Sequence, residues 1–342
     1  MVDDLQRERI LVTGAGGSIG SALALRLAGI AQRQLVLLES SESALFALHC
    51  KLAEATLPQI SKCILGSVLD RNFLEEVFEH HAPDIVFHAA AFKHVPLLEE
   101  HPLAAIENNV FGTRSLVSAA TVHQARVVLL STDKAVEPAS ILGATKRVAE
   151  CIVLGAGGTV LRLGNVLASS NSVVESFARQ IAAGSQLAVT DPAARRYFLT
   201  IEEAVDLLIA ASAEANRPLL LAPDLGSPQY ITDLARFMAR VLAPGREVSI
   251  EFTELRPGDK ELEKLWSPDE TAVPARAQGL LSIHSSFMTG AAFDRELDAL
   301  ESAARARDLP AAIGCLRSLV SDFTPSAALL ALAQRNVSRM AP

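Results

Sequence analysis

Short apolar runs punctuate the first half of the chain. Ile10-Leu11-Val12, Leu35-Val36-Leu37-Leu38, Cys63-Ile64-Leu65, Asp84-Ile85-Val86-Phe87, Val127-Val128-Leu129-Leu130 and Thr159-Val160-Leu161-Arg162 stand in turn along it. Polar residues do not alternate within them, so each predicts a strand covered on both faces. Between the runs the apolar spacing is helical, as at 21–27, 44–52 and 71–78. Strands alternating with helices predict an α/β fold, a Rossmann-type doubly wound parallel sheet. From residue 171 the pattern loosens. Pro192, Pro218, Pro223, Pro228 and Pro244 cut the chain into shorter elements, with helices predicted over 202–213, 232–242 and within 294–333. This reading divides the chain into a first domain, 1–170, and a smaller C-terminal lobe, 171–342, some of whose segments return to the first domain.

The link between the first strand and first helix carries chemistry. Thr13-Gly14-Ala15-Gly16-Gly17-Ser18-Ile19-Gly20 has glycines at the spacing GxxGxxG. Gly14 permits a tight turn, Gly17 lets backbone N–H groups approach a pyrophosphate, and Gly20 packs helix on strand. Glu39 closes the second strand, where an acid holds the ribose hydroxyls of a dinucleotide and repels a 2′-phosphate. Ser40 and Ser41 follow it with no arginine close behind, which favours NAD over NADP. Asp70 stands where it either meets adenine or caps the helix that follows.

Composition narrows the partners. With 342 residues, half of them hydrophobic, the chain has ample material for a core. A net charge of −8 disfavours nucleic acid and anionic lipid, which need a basic surface. No apolar run reaches the roughly 18–20 residues of a spanning helix, and the charged N-terminus offers no signal peptide, so a cytoplasmic protein with no membrane partner is expected. Cys50, Cys63, Cys151 and Cys315 are scattered, which predicts reduced thiols and no metal site. His88 and His94, just past the fourth strand, read as structural.

Further motifs are His88-Ala89-Ala90-Ala91-Phe92-Lys93-His94-Val95-Pro96-Leu97, Ser131-Thr132-Asp133-Lys134-Ala135-Val136 and Gly143-Ala144-Thr145-Lys146-Arg147. With them go Leu163-Gly164-Asn165-Val166, Arg196-Tyr197-Phe198-Leu199-Thr200 and Arg256-Pro257-Gly258-Asp259-Lys260. Together with the glycine turn these resemble the polysaccharide-biosynthesis branch of the extended short-chain dehydrogenases/reductases, the UDP-N-acetylglucosamine 4,6-dehydratases and their relatives. Because the chain begins at the nucleotide-binding strand, it resembles the short soluble form of that branch.

The resemblance implies NAD, a UDP-sugar substrate and a homo-oligomer. It implies a redox-neutral dehydration: oxidation at C4, loss of water across C5 and C6, and hydride return to C6. The cofactor would lie on Gly14, Gly17, Ser18, Ile19, Gly20, Glu39, Ser40, Ser67, Val68, Ala89, Ala90, Lys93 and Lys146. Asp133 would be the acid toward the 6-hydroxyl, Lys134 the base at C5, Thr132 a hydrogen-bond partner of the 4-hydroxyl and Lys146 a ligand of the nicotinamide ribose. Lys134 can act as a base only with a lowered pKa, which burial, Lys146 and an oxidised nicotinamide would supply. Lys93, Asn165, Arg196 and Arg256 would contact the substrate, the last three as a diphosphate clamp. Arg195 either adds to that clamp or is solvated, and Asn171 replaces a glycine that shapes the pocket. The sequence departs from the superfamily at one point. No Tyr-x-x-x-Lys occurs, and the tyrosine's place, four residues before Lys146, holds Leu142. A nucleotide-sugar epimerase or oxidoreductase, or a silent nucleotide-sugar binder, are the competing readings.

Overall fold

The computed structural model describes residues 5–30, 32–55, 61–167, 169, 172–214 and 218–340; Asn171 lies outside the described residues. Nine strands share one sheet: β1 (Arg9–Thr13), β2 (Gln34–Glu39), β3 (Lys62–Leu65), β4 (Ile85–His88), β5 (Arg126–Thr132), β6 (Thr159–Leu163), β7 (Leu219–Pro223), β8 (Thr271–Pro274) and β9 (Leu280–His284). Their spatial order is β3-β2-β1-β4-β5-β6-β7-β9-β8. Every pair from β3 to β7 is parallel, whereas β9 runs antiparallel to both β7 and β8.

The apolar runs are unbroken because successive side chains feed different cores. Leu11, Val36, Leu38, Val86, Val127, Leu129 and Val160 enter the core on one face. Their neighbours Ile10, Val12, Leu35, Leu37, Ile85, Phe87, Val128 and Leu161 enter the core on the other. Helices cover both faces: α1 (Ser18–Ala28) and the helix Ile201–Ala213 pack on the second core. On the first pack α2 (Arg71–His81), α3 (Ile141–Gly155) and two C-terminal helices, Ala291–Arg305 and Leu309–Leu319.

Six strands are predicted from the pattern, and the large sheet has nine among the described residues. Leu219–Pro223 lies between Pro218 and Pro223, which mask a fully buried parallel strand. The pair Thr271–Pro274 and Leu280–His284 forms an edge with a weak apolar signal. Much of the chain beyond residue 171 therefore packs on the large sheet. A third, separate core unites α4 (Val173–Ala182), the helix Ile231–Leu242 and the strands Leu187–Val189 and Ile250–Phe252 through Phe177, Ile181, Leu187, Val189, Ile231 and Met238.

β1 lies between β2 and β4, so the strand order reverses beside it. The crevice at the carboxyl ends of such strands is where this architecture places ligands.

Candidate active site

The turn after β1 is built for close approach. Gly14 has φ +68°, and a Cβ there would lie 2.6 Å from the Ala90 nitrogen and 2.7 Å from the Ala89 carbonyl carbon. A Cβ on Gly20 would collide with the Gly14 carbonyl oxygen, whereas at Gly17 the nearest atom, that same oxygen, is 3.2 Å away. Gly17 caps α1 with no side-chain hydrogen bond. The first turn of a helix has N–H groups without intrahelical acceptors, so this end, with Ile19 and Gly20 on it, suits an anion.

Glu39 faces the same turn. Its Oε1 accepts the N–H groups of Ser40 and Ser41, each at 2.9 Å, and its Oε2 accepts that of Gly16 at 2.9 Å. The backbone thus fixes the carboxylate, and Oε2, with one donor, retains capacity for a hydroxyl. Asp70 caps α2, accepting the Phe73 N–H at 3.0 Å, and Ser67 Oγ accepts the Leu69 N–H at 3.2 Å in the turn before it. Val68 is buried beneath them. Glycine cradle, Ala89–Ala90 floor and oriented Glu39 together fit a dinucleotide.

Past β4, His88 is buried between Thr13 Oγ1, at 2.7 Å from Nδ1, and Thr113 Oγ1, at 3.0 Å from Nε2. The Thr113 hydroxyl donates to the Asn109 carbonyl, which assigns the ring proton to Nε2. Burial, aided by the charge of Lys146, holds the His88 pKa at about 3, so this ring is a neutral bridge. Lys93 stands exposed at the rim; desolvation lowers its pKa, opposed by the charge of Glu175 on α4. His94 beside it is exposed, its pKa lowered by burial and by Lys93.

The centre of the site is the short 3₁₀ turn Asp133–Ala135 at the carboxyl end of β5. Asp133 is fully buried; its Oδ1 accepts the Thr132 hydroxyl at 3.0 Å and Lys134 Nζ at 2.9 Å, while its Oδ2 has no partner among the described residues. Lys134 Nζ also donates to Asn165 Oδ1 at 3.2 Å and lies 3.8 Å from Glu263 Oε1. Burial would lower the Lys134 pKa, but the charges of Asp133 and Glu263 and the hydrogen bond to Asp133 outweigh it and hold it above the ordinary value. The lowered pKa expected for this lysine is thus corrected.

Helix α3 closes the site from below. Ser140 caps it by accepting the Gly143 N–H at 3.1 Å, and a Cβ on Gly143 would collide with the Lys134 carbonyl oxygen, so the helix presses directly on the turn Asp133–Ala135. One turn on, Lys146 is buried and donates to the Leu130 carbonyl at 2.6 Å. Burial, opposed by Glu150, lowers its pKa to about 8. Leu142 is 4% exposed and belongs to the adjoining core.

The expected clamp is only partly present. Arg256 is exposed, its Nε on Asp259 at 2.8 Å, with the rest of the fork toward solvent. Arg196 instead donates to the carbonyls of Arg195, Lys260 and Glu261 at 2.7–2.9 Å, and Asn165 is turned onto Lys134. Both belong to the frame of the site because buried carbonyls and an ammonium nearby need partners. Arg195 stacks over the Tyr230 ring, 4.8 Å from its centroid, so it is not simply solvated.

Three features escape sequence reasoning. Glu263, 1% exposed, reaches Lys134 from a distant segment; its only trace is a spacing of three from Lys260, with which it pairs at 2.7 Å. The phenol of Tyr197 is raised in pKa by burial and by the charge of Asp133, which puts it at the site although no lysine follows four residues on. Arg162 is fully buried in β6, and its lone charge within an apolar run was the available signal. Its five N–H groups meet five acceptors on Glu150, Glu270 and the Leu265 carbonyl, at 2.7–3.1 Å.

Among the described residues no helix is long and apolar enough to cross a membrane, and no cluster of three His, Cys, Asp or Glu is placed to hold a metal ion. The model of a family described as "Polysaccharide biosynthesis protein" matches residues 10–284. A relative from Bacillus subtilis (strain 168), "Probable polysaccharide biosynthesis protein EpsC", is 38% identical over 275 residues, 78% of this chain and 46% of its own length. The chain thus spans about half the length of the first curated relatives it matches. A protein named UDP-glucose 4-epimerase from Rickettsia massiliae (strain Mtu5) is 32% identical, with 77% of this chain and 79% of that protein covered. Among solved structures, Pen from Bacillus thuringiensis superposes with a TM-score of 0.75 at 26% identity, over 82% of this chain and 89% of that one.

Proposed function

Since the chain belongs to the polysaccharide biosynthesis protein family of extended short-chain dehydrogenases/reductases, we propose that it is a nucleotide-sugar 4,6-dehydratase using NAD and a UDP-sugar such as UDP-N-acetylglucosamine. The observation that carries this reading is an excess of acid–base groups. Inverting a hydroxyl at C4 requires one proton acceptor at O4. This crevice holds in addition a buried carboxyl and a buried amine in contact, Asp133 and Lys134. Loss of water across C5 and C6 needs such a second acid and base.

The glycine turn, Ala89–Ala90 and Glu39 would hold the dinucleotide, with Lys146 at its nicotinamide ribose. When bound, NAD supplies the hydride acceptor and donor. A carboxylate at 39, fixed by three backbone N–H groups, disfavours the 2′-phosphate of NADP. Arg256, with Lys93 at the rim, would meet the diphosphate and sugar. Thr132 Oγ1, held by its hydrogen bond to Asp133, would take the proton of the 4-hydroxyl and relay one on to solvent water.

A 4-epimerase is the second reading, favoured by the relatives that carry that name. Incubating the protein with UDP-N-acetylglucosamine in deuterated water separates the readings by mass spectrometry. We expect loss of one water with a deuteron gained at C5. Unchanged mass with an inverted C4 would make the protein an epimerase, and binding without change a silent binder.

The alkyl group at 142 bears on the proton route. It cannot accept the proton of the 4-hydroxyl, and the path through Thr132 does not pass it. Leu142→Met, inert and of similar volume, should therefore leave turnover within roughly threefold of the parent. Leu142→Tyr should help modestly at best. If the parent is inert and Leu142→Tyr switches dehydration on, leucine is a lesion and the silent-binder reading replaces this one.

A further inference from the structure

A charged ammonium cannot take a proton from carbon, yet Lys134 is surrounded by groups that keep it charged. One comes from its own turn, Asp133 at 2.9 Å. The other comes from a strap of chain, residues 260–265, that lies across the turn. The strap is anchored at several points: Arg195 N–H donates to the Glu261 carbonyl at 2.9 Å, and the Arg196 guanidinium to those of Lys260 and Glu261. Arg162 Nη1 donates to the Leu265 carbonyl at 3.1 Å, and Lys260 Nζ to the Val136 carbonyl at 2.8 Å, two residues beyond Lys134. So fixed, the strap delivers one carboxylate, Glu263, into the buried interior. There it faces Lys134 at 3.8 Å on one oxygen and Lys260 at 2.7 Å on the other.

We propose that Glu263 is a positioning residue that keeps one proton stored on the Asp133–Lys134 pair. The inference rests on the dehydratase reading for its use, though not for its test. The stored proton closes a cycle. Lys134 Nζ passes it to Asp133 Oδ1 along their hydrogen bond, which produces a neutral amine and a carboxylic acid together. The amine takes the proton from C5 of the 4-keto sugar, the C5–H electron pair forms the C5=C6 bond, and the C6–O bond breaks. Asp133 gives its proton to the departing hydroxyl, which leaves as water. The pair is then ammonium and carboxylate again; as C6 is reduced the ammonium gives C5 a proton, and the pair regains one from solvent, equal to the one the 4-hydroxyl released. Without Glu263 the pair would lose its proton at lower pH and have none to give. The other charges facing the pair are Arg196, which opposes the ammonium, and Lys260, which offsets part of Glu263; the neutral Tyr197 phenol faces Asp133.

The test reads the proton on Lys134 directly. The protein, and Glu263→Gln, are pulse-acetylated across a pH series, and the labelling of Lys134 and Lys146 is followed by peptide mass spectrometry. An opposite charge within 4–6 Å shifts a pKa by about 1–3 units. Lys134 in Glu263→Gln should therefore label at least about tenfold faster than in the parent at one fixed pH, with Lys146 unchanged and Glu263→Asp restoring slow labelling. Equal labelling of Lys134 in parent and Glu263→Gln overturns the proposal. If Glu263→Gln does not fold, Lys260→Gln serves instead: Glu263, released from its other partner, should slow Lys134 labelling, and no change there overturns the proposal too. Dehydration is read separately. The labelling shift with UDP-N-acetylglucosamine left intact upholds Glu263 as the keeper of the proton and removes the dehydratase reading alone.

Discussion

Asp133→Asn should lower turnover by roughly 10²–10⁴-fold, the range of a lost general acid–base group. The amide keeps the shape of the carboxyl and can still accept from Thr132 and Lys134 through its oxygen. It cannot deliver a proton, and it puts an NH₂ group where the buried Oδ2 now stands without a partner among the described residues. Lys134 retains Glu263 as a counter-charge, so the fold should survive. Turnover of UDP-N-acetylglucosamine, measured beside binding of the same sugar and a thermal melt, checks this. A loss below about tenfold with binding intact would assign the acid to another group, with the Tyr197 phenol, which feels the charge of Asp133, as a candidate.

The second large effect falls on stability. In Arg162→Met a single change leaves Glu150 and Glu270 buried, with Arg147 as their remaining ion-pair partner among the described residues. Breaking a buried ion pair from one side costs about 3–5 kcal/mol. Arg162→Lys should recover little, since an ammonium has three donors and no planar fork for two carboxylates. Urea denaturation measures the loss, and a change under about 1 kcal/mol would mean that the network is already neutral. Acidity provides a second reading. Burial would raise the Glu270 pKa, but Arg162 holds it at about 2, against an ordinary value of 4.5. A depressed carboxylate stabilises the fold above its unfolded pKa and loses that contribution as pH falls through the folded one. The parent should therefore lose this contribution between about pH 4.5 and 2, and Arg162→Met should lack that step.

How much of this was legible depended on whether a feature is local. The glycine turn and the strands feeding two cores are written in consecutive residues, and so is the Asp133–Lys134 pair. Leu219–Pro223 was hidden because its bounding prolines signal a break, while a strand end tolerates them. The state of Lys134 was misjudged for another reason. Burial is foreseeable from a strand terminus, but the charge of neighbouring Asp133 outweighs it together with a second charge, Glu263, that arrives on a strap remote in sequence. Arg196 and Asn165 carry the right chemistry for a substrate, yet the backbone carbonyls of the strap and the Lys134 ammonium claim them first. Side-chain type suggests what a residue can bind, and only the packed structure decides between ligand and neighbour.

The strap also restricts how the crevice can breathe. One end, at Leu265, is tied to β6 through Arg162. The other, at Lys260 and Glu261, is tied both to the segment after β5 and to Arg195–Arg196, whose strand pairs with Gln229–Tyr230 at the foot of the helix Ile231–Leu242 in the third core. Sheet and lobe are therefore cross-linked at the floor of the crevice, not hinged there. Swinging the lobe away would break these bonds together and pull Glu263 from Lys134. Entry of a ligand is left to the rim, where Lys93 and Arg256 lie exposed above a floor held in place.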